Sequence, residues 1–457
     1  MNQISANSIR AEDAKHVVHP HVNLRKQPEA KPFIIERGDG IYVIDDEGNR
    51  YLEAAAGLWC ASLGFGNARV AEVARKMLEE IGFYHIFRGA TNAPAADLSA
   101  KLAAIAPEGF EHILLQCSGS EANDTAIKLV WYYWNAKDQP QRRKIISREQ
   151  SYHGTTAMTS CLTGKPRFHN GYGLPFEGFL YTAMPYYYRN GLPGESEEAY
   201  STRLAKELEE MILAEGPETI AAFWAEPMLG SGGAILPPKG YYEKVQAVLN
   251  KYDILLVADE VICGFARTGE MWGSQTFGMK PDLMTCAKAL SGAMQPISAV
   301  IISDKVWEQM MVQSDRLGGF THGFTYAGHP VAAAVALEVL KIYEEMDLVG
   351  HVKAVEPLFL AGFEVLRDHP LVGDSTGIGL IGAVEIVADK ATKAMHDPAL
   401  RVMAIFEDRA MANGLITRII GNRVALSPPQ VITADEVREM FARLTRALDE
   451  TASQIGA

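Results

Sequence analysis

The sequence predicts an α/β protein: a mostly parallel sheet with helices on both faces, joined to a smaller α+β domain. Three observations carry that expectation. From about Val70 to Ile302, apolar runs of strand length alternate with longer helical stretches. Those runs are apolar at nearly every position, as strands buried on both faces are. Shorter segments rich in turn residues stand before this region and after it, and break its rhythm.

From Phe33 to Ala56, FIIERGDGIYVIDDEGNRYLEAAA reads as a β-meander, its apolar runs separated by the turn signals RGDG and DDEGN. The strand-like runs that follow are HILLQC (112–117), KIIS (144–147), IAAFWA (220–225), DILLVA (253–258), LMTCA (283–287) and ISAVII (297–302). A long helix is predicted over PVAAAVALEVLKIYEEM from Pro330, and a second amphipathic pattern covers Val352 to Arg367. Three short strands come next, LIGAVEIV, LITR and RVALS, and Thr433 caps a terminal helix with Glu436 three residues on. The expected division is 1–60 for an N-terminal segment and meander, 61–329 for the large domain and 330–457 for the small one, with the meander joining the small domain.

Composition narrows the function. The formal charge of −13 and the absence of a basic stripe argue against nucleic acid. Five scattered cysteines with no CxxC pair suggest neither a disulfide framework nor a metal site. The N-terminal sequence has no apolar h-region, and no run of about eighteen apolar residues occurs, so a cytoplasmic protein away from the membrane is expected.

Lys288 closes the run LMTCA, 29 positions after Asp259 closes ILLVA. A lysine at the end of a buried strand either reaches water or gives up its charge, and a neutral desolvated amine attacks carbonyls. An acid ending a neighbouring strand would suit a buried cation. Pyridoxal phosphate uses this pairing, lysine on its aldehyde and carboxylate on its pyridinium nitrogen. Directly after HILLQC, Ser118, Gly119 and Ser120 stand at a strand-to-helix turn, where free amides and the helix dipole favour a phosphate. Ser118 and Glu121 also read as a capping box, and both roles are compatible. In SYHGTT, Tyr152 could lie on a planar ring or simply pack. His153 could donate near such a ring, and a locally satisfied imidazole is the default.

Six motifs occur in order: CSGSEAND, YHG, AEP (225–227), ADEVICGFARTG (258–269), CAKALSGA (286–293) and HGFTYAGHP (322–330). Together they resemble the class III aminotransferases of pyridoxal phosphate fold type I, most of all the ω-transaminases that use amines and pyruvate, over nearly the whole chain. The resemblance implies a seven-stranded, mostly parallel sheet, pyridoxal 5'-phosphate as cofactor, and a homodimer. It implies Lys288 as the Schiff-base lysine and proton shuttle, and Asp259 on the pyridinium proton. Gly119 and Ser120 would bind phosphate, Tyr152 and Val261 would take opposite faces of the ring, and Glu226 would support its surroundings. Thr325 of the GFT motif would reach a phosphate in the other subunit, while His322 and His329 are left as turn residues.

On the substrate side, GLITRIIGNRVALSPP offers Arg418, whose guanidinium fork suits a carboxylate. In the family the matching arginine swings in for carboxylates and out for apolar amines; Arg423 is its rival. Trp59 and Cys60 of GLWC, and Phe87 of FYHIFRG, would line the substrate pocket, in part from the partner subunit. Arg88 departs from the family's pattern, which has a second aromatic there. The expected activity is transfer of an amino group from a primary amine or ω-amino acid to pyruvate. Other outcomes on the same scaffold are an aminomutase, racemase or decarboxylase. A non-catalytic binding protein would be expected to lack Lys288 or Asp259, and both are present.

Overall fold

The computed structural model describes residues 6–27 and 32–456. The meander forms as β1 (Ile35–Asp39), β2 (Tyr42–Asp45) and β3 (Arg50–Glu53), all antiparallel. The Asp45 carboxylate closes the second turn by accepting the backbone N–H groups of Glu47 at 3.0 Å and Asn49 at 2.8 Å.

The central sheet has seven strands. They are β4 (His112–Gln116), β5 (Lys144–Arg148), β6 (Phe179–Thr182), β7 (Ile220–Ala225), β8 (Leu255–Asp259), β9 (Leu283–Cys286) and β10 (Ser298–Ile302). Their order across the sheet is β4-β10-β9-β8-β7-β5-β6, with β10 antiparallel to both neighbours and the pairs from β9 to β6 parallel. Successive residues feed two different cores. Phe223, Ala225, Leu256, Ala258 and Met284 belong to one apolar cluster, and Ala222, Trp224, Leu255, Val257 and Leu283 to the other. Period-two alternation with an apolar residue on each face is what the sequence shows as an unbroken run. The helix Gly119–Ala136 covers the second face with Ala126, Val130 and Trp134.

One strand of this sheet escaped the sequence. Residues 179–182, FLYT, form the edge strand β6, which is short and half-buried in the middle, and so carries a weak apolar signal.

Beyond Pro330 come the helices Pro330–Glu345 and Leu348–Leu366, then β11 (Val372–Ile378) and β12 (Ile381–Ile386), an antiparallel pair. The run LITR proves to be two strands. β13 (Leu415–Ile416) pairs in parallel with β3 of the meander, whereas β14 (Arg418–Ile420) pairs with β15 (Arg423–Leu426) in a separate four-stranded sheet of order β11-β12-β15-β14. Arg418 therefore stands just past the point where the chain leaves one sheet for another. The terminal helix Ala434–Ile455 starts at the expected capping box of Thr433 and Glu436. Among the described residues no helix is long and apolar enough to cross a membrane, and no cluster of His, Cys, Asp and Glu is placed to hold a metal ion.

Candidate active site

The carboxyl ends of β7, β8 and β9 deliver Glu226, Asp259 and Lys288 to one rim of the sheet, where ligands of open α/β sheets bind. Asp259 is the register partner of Thr285, three residues before Lys288. All three side chains line a cavity of about 330 Å³, together with Gly119, Tyr152 and Val261.

Asp259 is buried, and its carboxylate accepts three hydrogen bonds. Oδ2 accepts from Asn123 Nδ2 at 2.8 Å and from His153 Nδ1 at 2.7 Å; Oδ1 accepts from the Val261 backbone N–H at 3.1 Å. Asn123 is locked in turn. Its Oδ1 accepts from Trp224 Nε1 at 3.1 Å and Thr285 Oγ1 at 2.9 Å, and its Nδ2 also donates to the His153 carbonyl at 3.0 Å. Every hydrogen-bonding site of that amide is used, so its orientation is fixed. His153 differs from the default given to it: its Nδ1 is turned onto Asp259 and its Nε2 is buried without a partner.

Lys288 sits at φ 49, a left-handed conformation that a non-glycine residue adopts only under constraint. Its side chain is half-buried, and among the described residues its ammonium has no hydrogen bond or ion pair. Burial pulls its pKa below the ordinary lysine value, with Asp259 among the groups opposing. Glu260, the other half of the acidic pair, points elsewhere and accepts the backbone N–H groups of Gly273 and Ser274, at 2.9 and 2.6 Å.

Ser118 caps the helix Gly119–Ala136 by accepting from Glu121 N–H at 3.2 Å, leaving its first turn open to the cavity. Gly119 is needed for contact: a Cβ there would lie 3.1 Å from both Val261 methyl carbons. Ser120 Oγ accepts from the Thr155 N–H at 3.2 Å, tying the helix start to the Tyr152 loop. Glu226 is spent on backbone, since Oε1 accepts from Tyr152 N–H at 3.0 Å and Oε2 from Gly230 N–H at 2.9 Å. Burial raises its pKa and that of the half-buried Tyr152 phenol.

The remaining residues lie outside this cavity. Trp59 is buried in a cluster with Ile262, which does line it, and has a left-handed φ of 65. Phe87 and Thr325 are exposed, and a Cβ on Gly323, two residues before Thr325, would come 2.9 Å from the Phe87 ring. Arg88 is exposed as well. His322 contacts Thr125 Oγ1 and Lys128 Nζ, each at 2.9 Å, and His329 caps the helix at Pro330, so both serve turns and helix ends. The two arginines separate sharply. Arg423 is buried and bonded to Asp374 at 2.8 Å, Glu385 at 3.3 Å, the Gly233 carbonyl at 2.6 Å and the Tyr186 hydroxyl. Arg418 is exposed and has no ion pair among the described residues.

A lysine amine, a buried carboxylate, a phosphate-compatible helix start, Tyr152 and Val261 around one cavity together match the residue set that pyridoxal phosphate needs. Asn123 and His153 complete it. From the sequence Asn123 has no assigned role, although it is the buried amide of its helix and falls within CSGSEAND.

Comparison with known proteins agrees. The family profile described as aminotransferase class-III matches residues 25–448. The mitochondrial γ-aminobutyrate transaminase 1 of Solanum lycopersicum is 44% identical over 455 residues, covering 99% of this chain and 88% of that one. The ω-transaminase of Pseudomonas jessenii, solved in complex with PMP, superposes with a TM-score of 0.96 at 48% identity, covering 98% of this chain and 99% of that one. A thermostable ω-transaminase variant engineered for asymmetric synthesis of enantiopure bulky amines, with a tryptophan, a phenylalanine and an arginine replaced, gives the same TM-score of 0.96 at 48% identity, covering 98% and 100%.

Proposed function

The chain belongs to the class III aminotransferases, which are pyridoxal phosphate enzymes, and within that family we propose that it moves an amino group from a primary amine or ω-amino acid to pyruvate. The cofactor supplies an electron sink for the substrate carbon once its ring nitrogen is protonated. Asp259 holds that proton, and Asn123 and His153 hold Asp259. Lys288 is the residue that would hold the cofactor's aldehyde and would move a proton at the substrate carbon, a task suited to an amine whose pKa is lowered by burial. Gly119, Ser120 and the open helix start take the phosphate. Tyr152 and Val261, which line the same cavity, would hold the ring, with Glu226 fixing the Tyr152 backbone.

The observation that carries the substrate class is the exposed guanidinium of Arg418, which has no ion pair among the described residues, while its neighbour Arg423 is consumed by Asp374 and Glu385. An exposed guanidinium fork would bind the carboxylate of pyruvate or of an ω-amino acid and could swing away for an uncharged amine. Trp59 and Phe87 supply the apolar wall. Two findings support this: the engineered bulky-amine transaminase is altered at the same three residue types, and curated relatives are γ-aminobutyrate transaminases, whose named donor is an ω-amino acid. Phe87 and Thr325 would act across a homodimer, and the aromatic surface they share with Phe83, Tyr84 and Tyr326 supports that assembly. The test is a half-reaction screen of amines, ω-amino acids and keto acids, followed through the visible absorption of the bound cofactor. Turnover of an amine with pyruvate to alanine supports the proposal, and turnover with 2-oxoglutarate alone refutes the acceptor.

A further inference from the structure

Glu53 is a buried carboxylate, 4% exposed, with no cation paired to it among the described residues. Burial pushes its pKa up to about 7, and burying such a carboxyl is costly unless it satisfies groups that nothing else can reach. Its two oxygens do so. Oε1 accepts from the Ala55 N–H at 3.3 Å and Oε2 from the Gly57 N–H. These amides open a turn in which Ala56 has φ 45, Gly57 φ 67 and Trp59 φ 65. Two of those left-handed residues carry side chains, so the turn persists only where something outside it holds the backbone. The hydrogen bonds from Trp59 N–H to the Ala55 carbonyl at 2.9 Å and from Cys60 N–H to the Ala56 carbonyl at 3.0 Å close it from within.

The place of Glu53 matters as much as its contacts. It is the last residue of β3 and the register partner of Ile416 in β13, two residues before Arg418. Ala54 next to it donates to the Ile416 carbonyl at 2.9 Å and accepts from Ser427 N–H at 2.7 Å. The turn bearing Trp59 and the strand leading to Arg418 therefore grow from one node.

We infer that Glu53 is a specificity-determining positioning residue: by holding the amides of Ala55 and Gly57 it keeps the Trp59 turn in register with the Arg418 strand and so sets how bulky an amine the site admits. This rests on the reading of Trp59 as a wall of the substrate site. In Glu53→Gln one oxygen is replaced by an NH2 that cannot accept, so one amide of the turn is released. Hydrogen exchange at the released amide, Ala55 or Gly57, should then quicken by about tenfold or more. The kcat/KM ratio of a bulky arylalkylamine to isopropylamine should rise by about fivefold, mostly through KM for the bulky amine. Unchanged exchange would overturn the clamp. Trp59→Ala run alongside separates the readings. If it shifts the ratio and Glu53→Gln does not, the inference fails and the substrate site stands; if it leaves the ratio unchanged, the reading of Trp59 fails first. Should Glu53→Gln not fold, Glu53→Asp keeps a carboxylate one methylene short and should show the same changes at smaller size, and no change in either readout would overturn the inference.

Discussion

Replacing Arg418 with alanine should divide the two half-reactions. The side chain is exposed and has no ion pair among the described residues, so its loss strands no buried carboxylate there, and stability should change by no more than about 0.5 kcal/mol. A guanidinium on a carboxylate contributes about 1.5 to 3 kcal/mol per hydrogen bond, and each 1.4 kcal/mol or so is tenfold. The kcat/KM for alanine or pyruvate should therefore fall by at least about tenfold, and more if both bonds of the fork are lost. The half-reaction with an uncharged arylalkylamine should stay level or improve. Arg423→Ala is the control, and it should fail differently. Removing it leaves Asp374 and Glu385 without their cation in the interior, at a cost of about 3 to 5 kcal/mol, so lower Tm and poor yield are expected instead of a selectivity change. Stopped-flow absorbance of the bound cofactor reads each half-reaction separately. Equal losses in both for Arg418→Ala would refute the reasoning, as would a stable Arg423→Ala enzyme that alone loses the carboxylate substrates.

Asp259→Asn should still bind cofactor yet lose about two to three orders of magnitude in rate, since the charge facing the ring nitrogen is gone; a rate within about threefold of wild type would make Asp259 merely structural. Thr325→Ala should weaken cofactor retention and dimer association together, measured by dialysis and sedimentation, and unchanged values for both would count against a hydroxyl shared across subunits. Lys165 is buried, donates to the Ser231 carbonyl and hydroxyl, and has its pKa pulled by burial from 10.5 to about 8. Between about pH 8 and 10.5 the unfolded chain keeps a proton that the folded one has released, so stability should rise with pH through that window by on the order of 3 kcal/mol relative to Lys165→Met. Parallel stability curves for the two proteins would show that Lys165 is not desolvated.

The parallel core of the sheet was legible because strands β7, β8 and β9 are buried at every position and nearly all of their residues are apolar. The edge strand β6 and the polar, glycine-bearing β11 lack that signal, and both appear only once their partners are placed. LITR looked like one strand because no local feature marks Thr417 as the point where the chain changes sheets; only pairing with β3 and with β15 splits it. Lys288 and Asp259 were legible by their positions at strand ends. Asn123 and His153 were not assigned their places because their work lies in contacts about 136 and 106 residues away along the chain, which periodicity does not encode. Arg418 and Arg423 are five residues apart with similar neighbours, and the decisive difference, exposure against a buried ion cluster, belongs to tertiary structure alone.

Reducing the holoenzyme with borohydride and mapping the modified peptide by mass spectrometry tests the central claim most directly, because it asks which lysine is joined to the cofactor. Lys288 and Lys165 are both desolvated amines with lowered pKa, so the result is not decided by basicity. The account expects the added cofactor mass on the peptide containing Lys288 and on no other. Its appearance on Lys165, or its absence from a protein that still transaminates, would contradict the assignment.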